Sequence, residues 1–306
     1  CYRMHRFRKS FQADLPSNAR RVPLIDHLLP FRPRLFHGLN QRLPRLRMRR
    51  AVSTFHDLFV LTSEYSTDAF RERFALQARD AAARSDLAIC VSAFTASQVE
   101  DLLGVPAARI RIIPHGVRLP DPASVRPAEE REPLILFVGA LQKRKNVAAL
   151  VNAFARVSAP WKLILIGGQG YGWEAIEAAV AASPARGRIQ RMGYCDDKTL
   201  ASYYSRAAIF AFPSLDEGFG MPVLEAMAWG LPVLTSNRSS LPEVAGDAAL
   251  LVDPTKASSM EEGLVTLTES LAERKRLTDM GRNRAARCRW EIAVASTHEV
   301  YRELAG

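Results

Sequence analysis

The sequence predicts an α/β protein built from two doubly wound parallel sheets that face each other across a cleft. Three observations carry this expectation. From Ala51 onward short apolar runs alternate with helical segments, and such alternation is the pattern of a parallel sheet. The alternation stops over residues 118–133, R-L-P-D-P-A-S-V-R-P-A-E-E-R-E-P, a stretch dense in proline and charge without apolar period, as a linker is. A chain of 306 residues is also long enough for two cores of about 150 residues each.

The elements are taken in order. Residues 1–50 are rich in arginine and proline, with short apolar pieces at 22–29 and 35–36. Residues 51–55 read as a strand ending in His56-Asp57, 71–85 as a helix, 87–91 as a buried strand and 110–113 as another. Between the last two lies a helix over 92–103, capped by Ser92 and closed by Gly104. After the linker come a strand at 134–138, a helix at 146–157, a strand at 162–166 and a helix from Trp173. A strand at 189–192 and a helix at 199–205 follow, then strands at 233–235 and 249–252 beyond the central stretch described next. The tail from Lys256 reads as helical, and 290–304 as a final amphipathic helix.

The most informative stretch runs from Phe210 to Pro232, F-A-F-P-S-L-D-E-G-F-G-M-P-V-L-E-A-M-A-W-G-L-P. It reads as a buried strand over 207–212, a loop loosened by Gly218 and Gly220, and a helix opened by Pro222 and closed by Gly230. Glu217 in the loop and Glu225 in the helix flank the point where backbone N–H groups of Val223, Leu224 and Glu225 are expected to emerge. A helix start of this kind favours a phosphate, by a few tenths up to about 2 kcal/mol. A capping role for the acids is the plainer alternative, but an ordinary cap does not require two glycines beside it.

Charge is unevenly spread. Residues 1–50 hold 13 Lys and Arg against 2 Asp and Glu, whereas the whole chain holds 42 against 32, so the remainder is close to neutral. A local arginine cluster points to a phosphate-bearing partner or an anionic membrane surface. Cys1, Cys90, Cys195 and Cys288 stand far apart with no histidine at metal-ligand spacing, which suggests a reducing compartment and no structural zinc. No apolar run approaches the roughly 20 residues of a membrane span and no secretory h-region is visible, so a cytoplasmic protein, soluble or peripheral on the inner face of the membrane, is expected.

Other nucleotide chemistries fit poorly. The G-G-Q-G-Y-G at 167–172 follows a strand, yet Trp173 stands where a dinucleotide fingerprint needs its third glycine. Neither a phosphate-binding G-x-x-x-x-G-K-[ST] loop nor a D-x-D pair for magnesium is present. Lys143, Arg144 and Lys145, in the turn after the first strand of the second half, are the cations available to a diphosphate.

These residues also carry a resemblance. The run E-G-F-G-M-P-V-L-E resembles the E-x7-E signature of the group 1 type retaining glycosyltransferases, which have the GT-B fold of two Rossmann-like domains. H-D-L at 56–58, I-P-H-G-V at 113–117, V-G-A-L-Q-K-R-K-N at 138–146, G-Y-C-D-D-K-T-L-A-S-Y-Y at 193–204 and S-S-L-P-E-V-A-G-D-A-A-L-L-V-D-P at 239–254 support it in the right order. The resemblance implies an acceptor-side domain over 1–120, a linker over 121–133, a donor domain over 134–285, and a helix over 286–306 that packs back toward the first domain.

It also assigns roles. Glu217 would receive hydroxyls of the transferred sugar, with Gly218 in its loop and backbone N–H groups of Phe219 and Gly220 beside it. Glu225 would hold the ribose, Arg144 and Lys145 the diphosphate, and Tyr194 would meet the base. His56 would face the sugar across the cleft, while His115 reads as structural. The implied co-substrate is a nucleotide diphosphate sugar, with no cofactor and no metal, and the acceptor is a glycan or a lipid-linked glycan; nucleic acid is not an expected partner. Retention of configuration needs no dedicated protein base where the leaving phosphate takes the acceptor proton.

Two departures stand out. Ala140 replaces an arginine common in the family, and no glycine-rich turn precedes the strand ending at His56, so the first strand, its helix and part of the second strand are expected to be missing. The expected function is transfer of a hexose such as mannose. An epimerase or phosphorylase on the same fold, or a donor-binding subunit without turnover, is the alternative.

Overall fold

The computed structural model describes residues 34–44, 48–62 and 65–305. Most of the arginine cluster expected to meet a membrane therefore lies outside the described residues. Among the described residues the first sheet holds four parallel strands in chain order, β1 (Leu35–Gly38), β2 (Arg50–Phe55), β3 (Leu87–Cys90) and β4 (Ile110–Ile112). Helices α1 (Phe59–Thr62), α2 (Asp68–Arg84) and α3 (Ala93–Leu103) connect them. The last of these has both predicted ends: the Ser92 hydroxyl accepts the Thr95 N–H, and Gly104 closes the helix in the left-handed region at φ 67°. The piece read as residues 35–36 is a four-residue strand, each position of which is paired with β2. Only one of its residues is buried, so the apolar pattern alone did not reveal it.

The second sheet has six parallel strands in the order β10-β9-β8-β5-β6-β7, being β5 (Glu132–Val138), β6 (Lys162–Ile166), β7 (Ile189–Gly193), β8 (Ala207–Phe212), β9 (Val233–Ser236) and β10 (Ala249–Val252). Helices α4 (Val147–Phe154), α5 (Trp173–Ala182), α6 (Asp197–Arg206), α7 (Met221–Ala228) and the unanticipated α8 (Leu241–Ala245) supply the crossovers. Every residue of β8 is buried, as expected of a central strand covered on both faces. The chain winds outward from β5 through β6 and β7, then returns to β8 on the other side and winds through β9 and β10. The crevice above the carboxyl ends of β5 and β8 is thus the topological switch point, where such sheets bind ligands.

Three helices complete the chain: α9 (Ala257–Glu269), α10 (Leu271–Arg287) and α11 (Trp290–Ala305). Helices α9 and α10 stay with the second sheet, but α11 crosses to the first. There Ala293 and Val300 join Val52, Leu87, Ile89 and Ile113 in one buried cluster. Tyr301 adds a 2.5 Å hydrogen bond to Nδ1 of His37, and Arg111 pairs with Glu303.

The stretch read as a featureless linker is more ordered than its composition implied. Pro122–Ser124 and Ala128–Glu130 form 3-10 turns, and β5 begins at Glu132, inside the predicted linker. Arg131 is buried with its guanidinium serving the carbonyls of Tyr204 (3.0 Å), Ala207 (2.9 Å) and Trp229 (2.6 Å), which end α6, open β8 and close α7. Replacing Arg131 by alanine leaves these acceptors without their donor and is expected to cost at least about 2 kcal/mol in chemical denaturation. Lysine, a point charge without the planar fork, should recover only a minor part of that loss.

Candidate active site

The loops after β5 and β8 meet at the switch point. After Val138 the chain crosses Gly139 and reaches a 3-10 turn over Lys143–Lys145, closed by Asn146 in the left-handed region at φ 57°. The Leu215 N–H donates to the Arg144 carbonyl at 2.8 Å, which fixes one loop on the other. Arg144, Lys145 and Glu217 are each less than a tenth exposed. Nη1 of Arg144 lies 2.8 Å from Oε2 of Glu217, and Nζ of Lys145 donates to Oε1 of the same carboxylate. Arg144 also donates to the Asp216 carbonyl. Aromatic faces support both cations: Phe59 of α1 lies 4.1 Å beneath the Arg144 guanidinium, and Phe212 lies 4.6 Å from the Lys145 ammonium.

Burial pushes the Glu217 carboxyl upward, but Lys145 and Arg144 together outweigh it and hold the group below the usual carboxylate range. Burial depresses Lys145 against the pull of Glu217. We take Glu217 as ionised, because two cations share it. Two further carboxylates, neither singled out from the sequence, surround the trio. Asp57 is raised, chiefly by burial, with Arg144 opposing and Glu217 adding to the rise. Asp216 is pushed up to about 6, again by burial first, against Arg144 and with help from Glu217 and Asp57.

The first half faces this cluster through His56, immediately after β2. Its Nε2 lies 2.7 Å from the Leu39 carbonyl and its Nδ1 3.2 Å from Nε2 of His115. The carbonyl can only accept, so Nε2 carries the proton and Nδ1 accepts from His115. Both ring nitrogens of His56 are therefore engaged within the protein. His115, read from the sequence as structural, packs directly against His56. It stacks on His56 at 5.2 Å between ring centroids and meets Phe219 edge-on at 5.1 Å. Burial and the neighbouring His56 lower its pKa to about 4.

The glycine loop lies between the halves. A Cβ on Gly218 would stand 1.7 Å from the His56 carbonyl oxygen, so no other residue allows this approach. Gly220, at φ 104°, precedes α7, and a Cβ there would meet the Leu241 side chain at 2.6 Å. Ser239 and Ser240 anchor the loop from below: Ser239 Oγ accepts the Glu217 N–H at 3.0 Å, and Ser240 Oγ donates to the carbonyls of Glu217 (2.8 Å) and Phe219 (2.9 Å).

The helix start departs from expectation at one position. The Val223 N–H, read as free for a ligand, donates to the Gly220 carbonyl at 2.9 Å because the chain turns tightly into α7. The side chains of Val223 and Leu224 are fully buried in the core. Glu225 lies one turn further on and accepts from the Tyr204 hydroxyl at 3.2 Å. Burial raises its pKa, and the Tyr204 hydrogen bond partly offsets this. Tyr194 stands apart from the cluster, just beyond β7 at the far edge of the sheet and 88 % exposed.

Residues 123–284 match the family described as glycosyl transferases group 1, and residues 2–120 match Glycosyltransferase Family 4. The chain is a group 1 glycosyltransferase. This glycosyltransferase is 31 % identical over 291 residues to the O-antigen chain mannosyltransferase B of Escherichia coli, an alignment covering 90 % of the chain and 76 % of that protein. It is 30 % identical over 228 residues to the MMP alpha-(1->4)-mannosyltransferase of Mycolicibacterium hassiacum, covering 70 % of the chain and 53 % of that relative. Among solved structures it is similar to the sucrose-phosphate synthase of Thermosynechococcus elongatus, with a TM-score of 0.76, 25 % identity and coverage of 89 % and 73 %. It is likewise similar to WaaG, a glycosyltransferase involved in lipopolysaccharide biosynthesis, with a TM-score of 0.73, 18 % identity and coverage of 93 % and 87 %. The fold is GT-B, as the motifs implied.

The carboxyl of Asp216 gives this cluster a pH signature. Its folded value of about 6 lies above the ordinary 3.8, so its contribution to stability is fully present below pH 3.8 and is lost as pH rises through 6. Asp216→Asn removes that loss. The variant should gain melting temperature over the wild type at pH 8, and the gain should vanish near pH 4. A difference between the two proteins that does not change with pH would contradict the assignment.

Proposed function

We propose that this glycosyltransferase moves a hexose, mannose first among the candidates, from a nucleotide diphosphate sugar to a hydroxyl of a glycan or lipid-linked acceptor, with retention of configuration. The observation that carries the reading is the buried Glu217–Arg144–Lys145 trio at the switch point, facing His56. Two mannosyltransferases among the similar proteins support the choice of sugar.

In this scheme Arg144 and Lys145 meet the diphosphate, and Glu217 accepts hydroxyls of the sugar. Glu225, aligned by Tyr204, is assigned the ribose, and Tyr194 the base. In the reaction the bond from the anomeric carbon to the diphosphate oxygen breaks, and the acceptor oxygen bonds to that carbon on the same face. The acceptor proton passes to the departing phosphate oxygen, on which Arg144 and Lys145 stabilise the developing charge. No step needs a metal ion or a cofactor. His56, with Gly218 against its carbonyl, forms the wall that closes the sugar site. Acceptors of the lipid-linked kind would place the protein at the cytoplasmic face of a membrane; among the described residues no helix is long and apolar enough to cross one.

The test is incubation with a panel of nucleotide sugars and a glycan acceptor. Release of nucleotide diphosphate, together with a product of unchanged anomeric configuration by NMR, is the expected result. Release without transfer, or inversion, would overturn the reading.

The two glutamates should separate in calorimetric titrations. Glu225→Ala is expected to weaken nucleotide diphosphate by about 1.5–3 kcal/mol, the worth of a charged hydrogen-bond acceptor. Glu217→Gln frees Arg144 and Lys145 from their carboxylate, so nucleotide diphosphate binding should hold or tighten while sugar transfer collapses. Equal losses of nucleotide affinity in both variants would refute this division.

A further inference from the structure

The loop that carries Glu217 is held from the first half as well as from below. Ser92 and Thr95, both fully buried at the start of α3, direct their hydroxyls onto the Gly218 carbonyl at 2.6 and 3.0 Å. Beside them Glu243 of α8 completes the crossing. Its carboxylate accepts the Ala93 N–H on both oxygens, at 2.8 and 2.9 Å, and the Phe94 N–H at 3.3 Å. The first N–H groups of a helix are unsatisfied from within, and its positive end favours an anion, so the carboxylate of one half caps a helix of the other. Glu243 is itself braced: Arg284 of α10 donates to the Glu243 carbonyl at 2.7 Å and to the Val244 carbonyl at 3.0 Å.

We propose that Glu243, together with Ser92 and Thr95, is a latch that sets the distance between the halves and thereby positions Glu217 against His56. Glu243 touches neither donor nor acceptor in this scheme and is a positioning residue. Ser240 fixes the loop to α8, Glu243 fixes α8 to α3, and α3 returns to the same loop through Ser92 and Thr95. The chain of contacts closes on itself around Gly218, so parting the halves to admit a donor breaks the Glu243 and Gly218 bonds together. Arg144, Lys145 and Glu225, to which the nucleotide contacts are assigned, all belong to the second half; Arg144 also stacks on Phe59 of the first, but its pairing with Glu217 lies within the second half.

The effect on turnover rests on the transfer reading above; the effect on shape does not. Glu243→Ala should lower kcat about tenfold or more while leaving nucleotide diphosphate affinity by calorimetry unchanged. Small-angle scattering should report a larger radius of gyration for that variant. Glu243→Gln, which keeps a carbonyl acceptor for one N–H, should recover part of both. Thr95→Val, nearly the same shape without the hydroxyl, should act in the same direction. A kcat and a radius equal to those of the wild type in Glu243→Ala would overturn the proposal, as would a fall in nucleotide affinity parallel to the fall in kcat, which would mark damage to the second half. Should the wild type transfer no sugar from any donor, the functional reading fails, and the scattering comparison still decides the latch.

Discussion

A single carboxylate shared by two buried cations is the constraint on which the rest of this structure depends. Glu217, Arg144 and Lys145 come from loops after different strands, and each is almost wholly withdrawn from water. Desolvating any one of them alone would cost several kcal/mol, so each needs the others in place. That requirement reaches outward. The two loops must be joined, as they are at Leu215 and Arg144, and the strands beneath must keep their order. It also reaches across the cleft, because Phe59 beneath Arg144 belongs to the first half. Asp57 and Asp216 surround the trio with two more carboxyls, both of whose pKa values burial raises while Arg144 opposes the rise.

Where the signals are local, the sequence was legible. Ser92 and Gly104 delimit α3 because a cap and a left-handed glycine act over a single turn. Pro222 opens α7 for the same reason, and the buried run 207–212 is a central strand because only such strands are apolar throughout. The family motif placed Glu217, Arg144 and Lys145, but their direct pairing depends on how β5 and β8 lie side by side, which no spacing along the chain expresses. His115 was passed over for a comparable reason, since nothing within I-P-H-G-V indicates a stack on His56 or an edge against Phe219. Asp57 and Asp216 stood inside the quoted motifs and were overlooked because their environment is made by residues distant in sequence. Arg131 was hidden by its neighbours: a proline-rich, charged stretch looks unstructured although one of its arginines ties three element ends together.

Tyr194 is the residue whose expected role the geometry supports least directly. It sits beyond the edge strand, away from the charged trio, and has the freedom of a side chain in solvent. A ligand long enough to reach from β5 to β7 would span that distance, as a nucleotide laid along the carboxyl ends of the strands does. Tyr204, by contrast, was never singled out, yet it is the buried partner that orients Glu225 and stacks on Trp229 at 6.2 Å between centroids. Reading a site from motifs finds the groups that touch a ligand; the groups that aim them appear only once the helices have packed.

The crossing of α11 onto the first sheet has a consequence for how the protein comes into being. Val52, Leu87 and Ile89 are made early, but the Ala293 and Val300 that cover them follow the entire second sheet in the chain. Among the described residues the cover on that side of the first sheet comes from α11, so during synthesis it arrives only after the second half has been made. A sheet whose apolar face waits so long for its cover is open to wrong partners, which makes the interval before α11 emerges the vulnerable period.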